Sequence, residues 1–159
     1  MSAPQSVPLV TPTTACEHRH VHYHGYFWRG SDDERSRRAR DAHVDGPRFA
    51  TAEVPPAKMC WWLRKPADMV SGTWDDPEGA AKWMLAQYER VSREIDDTAA
   101  HWTPDDSRYA AALRDIADGR DVTWQYQVGG DERAFVSVVA CSPNEWDREA
   151  PCPLDGTRG

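Results

Sequence analysis

Cys16-Glu17-His18-Arg19-His20-Val21-His22-Tyr23-His24-Gly25-Tyr26-Phe27-Trp28 carries histidine at four alternate positions. Successive side chains of an extended chain point to opposite faces, so this spacing gathers Cys16, His18, His20, His22 and His24 on one side. The other side holds Arg19, Val21, Tyr23, Gly25 and Phe27, and its aromatic and β-branched content predicts a strand rather than a helix. Gly25 inside such a strand marks a bulge or a close approach by another part of the chain.

Imidazole is the commonest protein ligand for zinc and also suits iron and copper. With a rise of about 3.3 Å per residue, ligands two positions apart reach a shared ion easily, whereas a span of four positions is near the limit. His18, His20, His22 and His24 are therefore the candidate ligands of a divalent metal, zinc before iron or copper. Adjacent pairs such as His20 with His22, or His22 with His24, are the chelating units. A third ligand has to come from elsewhere, and His43, Asp45, Glu53, Cys60 and His101 are available without any sequence signal to choose among them. Metal-free acid–base or nucleophilic use of His22 and His24, with Tyr23 between them, competes for the same residues, as does a plain solvated strand face.

His20-Val21-His22-Tyr23-His24-Gly25-Tyr26 also resembles the histidine-triad motif of nucleotide hydrolases and transferases. The resemblance implies His22 as the nucleophile at a phosphorus centre, with His20 and His24 assisting. It covers seven residues; here the motif opens the domain instead of closing it, and Gly25 stands where that family has an apolar residue.

Working outward, residues 1–15 hold prolines with Ser and Thr and no apolar period, which predicts a flexible tail. Gly30-Ser31 followed by Glu34 is a capping box, and the arginine-rich segment to Ala42 has almost nothing apolar to bury. It is expected as a solvated helix, or as a lid whose arginines meet an anionic substrate. Phe49 to Val54 and Lys58 to Leu63 read as short strands separated by Pro55-Pro56. Asp75-Asp76-Pro77 starts a helix whose stripe is Met84, Tyr88, Val91, Ile95 and Thr98, and Thr103-Pro104-Asp105-Asp106 starts a second with Tyr109, Leu113 and Ile116, stopped by Gly119. Runs from Asp121 to Val128 and Arg133 to Cys141 flank Gly129-Gly130 and predict a hairpin.

This order predicts a single α+β domain over residues 16–142, with an irregular tail at 143–159. Its architecture is a mostly antiparallel sheet of about five strands with two amphipathic helices packed on one face, the histidines occupying the open one. A chain of 159 residues, 40% hydrophobic and 28% charged, with no apolar run near the ~20 residues that cross a bilayer, has the composition of a globular domain. The absence of a signal-peptide pattern makes the cytoplasm the expected location and the four cysteines thiols, one disulfide being admitted only if the chain is exported. A net charge of −7 opposes nucleic-acid binding and suits a basic protein partner.

Eight tryptophans exceed what such a chain needs and suggest an aromatic-walled site, to which Tyr26, Trp28 and Trp62 are assigned as substrate-binding residues. The leading expectation is a small metal-dependent enzyme acting on a compact substrate by hydrolysis, cyclisation or isomerisation. An acidic binding or immunity-like protein, or a metal carrier or sensor, are the alternatives. Cys141 is read as a small buried thiol rather than a nucleophile.

Overall fold

The computed structural model describes residues 21–95, 104–141 and 143–155. Four strands form one antiparallel sheet: β1 (His22–Ser31), β2 (Gly72–Trp74), β3 (Val122–Val128) and β4 (Glu132–Cys141), in the order β2-β1-β4-β3. Among the described residues the α-helices are α1 (Asp32–Arg37), α2 (Pro77–Val91) and α3 (Asp106–Ala117), the last two being the main ones. The α+β class and the two helices on one face follow the sequence expectation.

Alternation divides the sheet into two unlike faces. Tyr23 of β1, Trp124, Tyr126 and Val128 of β3, and Ala134, Val136, Val138 and Ala140 of β4 form one apolar core with Ala80, Ala81, Met84 and Val91 of α2 and Ala112 and Ile116 of α3. The helix ends carry the expected caps. The Asp76 carboxylate accepts from the Gly79 N–H at 2.6 Å with Pro77 opening α2, and the Asp105 carboxylate accepts from the Arg108 N–H at 2.9 Å. α2 stops at Val91, and Ile95 leaves the helix to bridge Val128, while Thr98 lies outside the described residues. Gly25 is needed here because a Cβ at that position would lie 2.8 Å from the Trp83 ring and 2.9 Å from that of Trp74. The close approach expected of this glycine is thus made by two indoles.

The other face presents His22, His24, Tyr26 and Trp28 from β1 and Phe135, Ser137, Val139 and Cys141 from β4. It is not open. The chain predicted as a second strand is instead a 3-10 helix, Met59–Arg64, which turns Cys60, Trp62 and Leu63 inward and stacks Trp62 on Tyr26 with ring centroids 4.8 Å apart. The stretch from Phe49 to Val54 is a series of turns, so the sheet has four strands rather than about five. Two consecutive prolines remove ladder donors, and the backbone between Asp41 and Ala52 is satisfied another way. The buried ammonium of Lys65 donates to the carbonyls of Asp41, Phe49 and Ala52 at 3.3, 2.9 and 2.9 Å. β2 escaped the sequence reading because three residues are too few to show a period.

Beyond β4, residues 143–155 run back across the same face without helix or strand. Asn144, almost wholly buried, turns the chain: its amide donates to the Ala140 carbonyl at 2.8 Å and the Asp121 carboxylate at 2.9 Å, while its own oxygen accepts from the Trp146 N–H at 2.9 Å. The Arg64 guanidinium then clasps the Asp147 carboxylate in a two-bond fork of 2.6 and 2.9 Å. These contacts leave Trp146 exposed and bring Cys152 down onto the histidines. Among the described residues, no helix is long and apolar enough to cross a membrane.

Candidate metal centre

Three separate stretches converge at the β1 end of the second face. The ladder between β1 and β4 sets Cys141 directly opposite His22, and the ladder between β1 and β2 sets Thr73 opposite His24. Cys152 completes the group from the C-terminal segment. All four donors are buried, with His24 and Cys141 fully so, and one ligand atom from each of His22, His24, Cys141 and Cys152 lies within 4.8 Å of every other.

The imidazoles stand edge to face, with centroids 4.8 Å apart and planes at 86°. Both aim Nε2 at the same sulfur: Cys152 Sγ is 3.6 Å from His22 Nε2 and 3.5 Å from His24 Nε2. His24 Nδ1 is engaged by the Thr73 hydroxyl at 2.8 Å, the arrangement by which an outer partner holds a ligating histidine in place. Burial, reinforced by the neighbouring His22, lowers the His24 pKa to about 4, so its ring is neutral, and the tautomer with the proton on Nδ1 would leave the Nε2 lone pair for an ion. Burial, with a smaller contribution from Asp155, pushes the Cys141 thiol up to about 12. Such a thiol becomes a good ligand only when a cation replaces its proton.

Cys152 is disulfide-bonded, and since Cys60 and Cys141 are free, the other half of that bond lies outside the described residues. The expectation that all four cysteines are thiols is corrected on this point. A sulfur tied into a disulfide has no thiolate to give, so the four-donor set is complete only with that bond opened. Tyr26 is buried beside this group, and its hydroxyl has no hydrogen-bond partner among the described residues. Burial, and then Cys141, raise its pKa.

The residues singled out from sequence separate as follows. His22 and His24 come together in the centre, whereas His18, His20 and His101 lie outside the described residues. Tyr23 points to the helix side and is buried in that core. His43 is exposed against Trp61, with the Asp45 N–H donating to its Nδ1 at 3.3 Å, and neither they nor Glu53 nor Cys60 belong to the donor cluster. The further donors are Cys141 and Cys152 instead. Alternation along β4 does put Cys141 on one face with Phe135 and Val139, but which histidine it meets depends on strand register. Cys152 left no signal at all in an irregular, Pro-rich segment.

Trp28 is half-buried, edge to face with Phe135 at 5.6 Å. Trp62 lines a cavity of ≈720 Å³ along with Arg35, Thr123, Arg133, Phe135 and Ser137. His22 and His24 do not line it. α1 forms a wall of this cavity, and the two arginines lining it are already engaged: the Asp32 carboxylate is shared by Arg35 at 2.8 Å and Arg133 of β4 at 3.0 Å, and Arg35 sits over the Phe135 ring. Trp61, one residue earlier, lines a different cavity with Cys60 and Trp146.

No protein-family model matches the chain, and neither the curated proteins nor the solved structures hold a significant match to it. The likeness to the histidine-triad motif therefore stands on its seven residues alone.

Proposed function

We propose that this chain is a metal-binding protein whose centre is the His22, His24, Cys141 and Cys152 set, and that the ion is zinc. The observation that carries this reading is the spacing of the donor atoms. Zn–N bonds of about 2.0–2.1 Å and Zn–S bonds of about 2.3 Å give tetrahedral N···S edges near ~3.5 Å. The two edges from Cys152 are 3.5 and 3.6 Å, before any adjustment to an ion. Two thiolates with two imidazoles are the donor chemistry of tetrahedral zinc, while carboxylates, which would favour magnesium or calcium, are absent from the cluster.

Four protein donors in a buried group make a closed site. Closed sites are structural or sensory, and catalytic zinc keeps one position for water or substrate. The reading therefore favours a sensor, carrier or folding role over hydrolysis, cyclisation or isomerisation, which would need one donor to yield its place. When bound, zinc would cross-link β1, β4 and the C-terminal segment, and Thr73 would hold the His24 ring in the tautomer that presents Nε2.

The test is elemental analysis of untagged protein purified under a dithiol. About one zinc per chain is expected, falling below a tenth in His24→Ala and Cys141→Ser. Reduced, folded protein that takes up no zinc would overturn the reading. A cobalt-substituted sample should show the intense visible bands of a tetrahedral site and a thiolate-to-metal charge-transfer band. Copper or iron at stoichiometry would keep the centre and change the ion.

A second reading, a small-molecule binding site, rests on the cavity beside Trp62. Its size is within the usual range for ligand sites, and it combines the Trp62 and Phe135 rings with the Thr123 and Ser137 hydroxyls, 2.8 Å from one another. Ligands that raise the melting temperature of the parent protein and not of Trp62→Ala would support it.

A further inference from the structure

Building on the metal-centre reading, we infer that the centre is gated by redox state, with the Cys152 disulfide and the bound ion as mutually exclusive uses of one sulfur. Cys152 Sγ is the one atom shared by both states. It lies on both imidazole nitrogens at 3.5 and 3.6 Å while the sulfur is disulfide-bonded. Opening that bond gives a thiol, which becomes a thiolate ligand when an ion replaces its proton.

The surroundings are not those that a stabilising disulfide alone needs. A structural bridge is satisfied by apolar cover, whereas here two imidazoles and a further free thiol are buried around it. Burying imidazoles is costly unless the nitrogens are used. Thr73 uses only one nitrogen of His24, and the Nε2 atoms converge on sulfur. Cys141 supplies a second sulfur that remains free in the oxidised form.

The chemistry closes with a dithiol as co-reactant. Reduction transfers two electrons and two protons to the Cys152 disulfide, breaking its S–S bond into two thiols, while the dithiol becomes a cyclic disulfide. Zinc then binds Cys141 and Cys152 as thiolates, and their two protons pass to solvent. In the reverse direction a disulfide oxidant takes two electrons from the Cys152 thiolate and the thiol that was its partner, is itself reduced to two thiols with the partner thiol's proton and one from solvent, and the ion leaves as Cys141 takes a second proton from solvent. Residues 143–155 hold to the sheet through Asn144, the Arg64–Asp147 fork and the packing of Ala150, Cys152 and Leu154 rather than through a ladder, so the redox step requires a reductant to reach the sulfur by local opening of this segment.

The experiment compares zinc affinity of the full chain, air-oxidised and dithiol-reduced, by competition with a chromophoric chelator after removal of the reductant under nitrogen. Thiol counts in denaturant calibrate the two states: two per chain when oxidised, from Cys60 and Cys141, and all four cysteines when reduced. Reduced protein should bind about one zinc, and oxidised protein should bind on the order of 100-fold more weakly or not at all. Addition of a disulfide oxidant to the zinc form should release the ion as the thiols disappear. Cys60→Ser should keep both behaviours, since Cys60 lies outside the cluster.

Equal affinity in the two states would overturn the gating and leave the metal centre standing. Four thiols before any reduction would likewise overturn it. No zinc uptake by the folded, reduced protein would remove the centre itself, and the gating with it. The central comparison uses one unmutated chain, so a variant that fails to fold does not obscure the answer.

Discussion

The two faces of the sheet are built by opposite rules. On the helix side, alternate residues of β3 and β4 are apolar, α2 and α3 add small or aliphatic residues at helical spacing, and continuous apolar burial stabilises the assembly. On the other side the strands present histidine, serine and cysteine, and the cover is a 3-10 turn and an irregular C-terminal segment held by specific polar clasps. One face is a continuous apolar core. The other joins a smaller apolar cluster around Tyr26, Trp62, Leu63 and Val139 to a few polar contacts that position the donor group.

The sharpest test sets the faces against each other. Met84→Ala opens a cavity in the helix-side core and should cost about 2–5 kcal/mol in urea unfolding, equally for oxidised, reduced and zinc-loaded protein. Zinc at about a thousand times its Kd should stabilise the reduced chain by about 4 kcal/mol, an effect lost in His24→Ala and retained in Met84→Ala. If Met84→Ala abolished zinc binding in folded protein, the two faces would not be energetically separate.

A smaller effect is expected at Gly25, the point where β1 serves both faces. A methyl group there collides with the Trp74 and Trp83 rings, so Gly25→Ala should cost about 1–3 kcal/mol by thermal or chemical unfolding. Its neighbours His24 and Tyr26 point the other way, so zinc affinity should change little. A large loss of affinity with small loss of stability would reverse that assignment.

The smallest expected effect is a pH dependence at the turn that brings the C-terminal segment back. Burial pushes the Asp121 carboxyl up to about 6, against the lowering effect of the Ala140 N–H and the Asn144 amide, with Glu145 adding to the rise. The folded state therefore holds this proton more tightly than the unfolded chain. Its contribution is fully present below about pH 4 and is lost as pH rises through about 6. For this partly exposed group the change should be about 1 kcal/mol, seen in metal-free protein and absent in Asp121→Asn. Unchanged pH dependence in that variant would assign it to other groups.

Legibility follows the same division. The helix-side elements repeat at intervals the chain itself displays: capping carboxylates at Asp76 and Asp105, the stripe through Met84 and Val91, and the alternation of Trp124, Tyr126 and Val128. Lys58 to Leu63 misled because a run of six residues with five apolar side chains serves equally for a strand or a tight helix, and in the fold Trp62 stacks on Tyr26 from a 3-10 helix. His22 and His24 were legible as a pair because two residues of one strand carry their own geometry.

What the amino-acid order determined by itself is periodicity: which residues share a face of β1, where α2 and α3 begin, and that His22 and His24 lie side by side. Only the tertiary structure decided their companions. Cys141 meets His22 through a register set by the whole length of β4, and Cys152 arrives across 128 positions from His24 through the Asn144 turn and the Arg64–Asp147 clasp. Local spacing encodes direction within one element, while long-range juxtaposition comes from the sum of packing on both faces, which no single stretch contains.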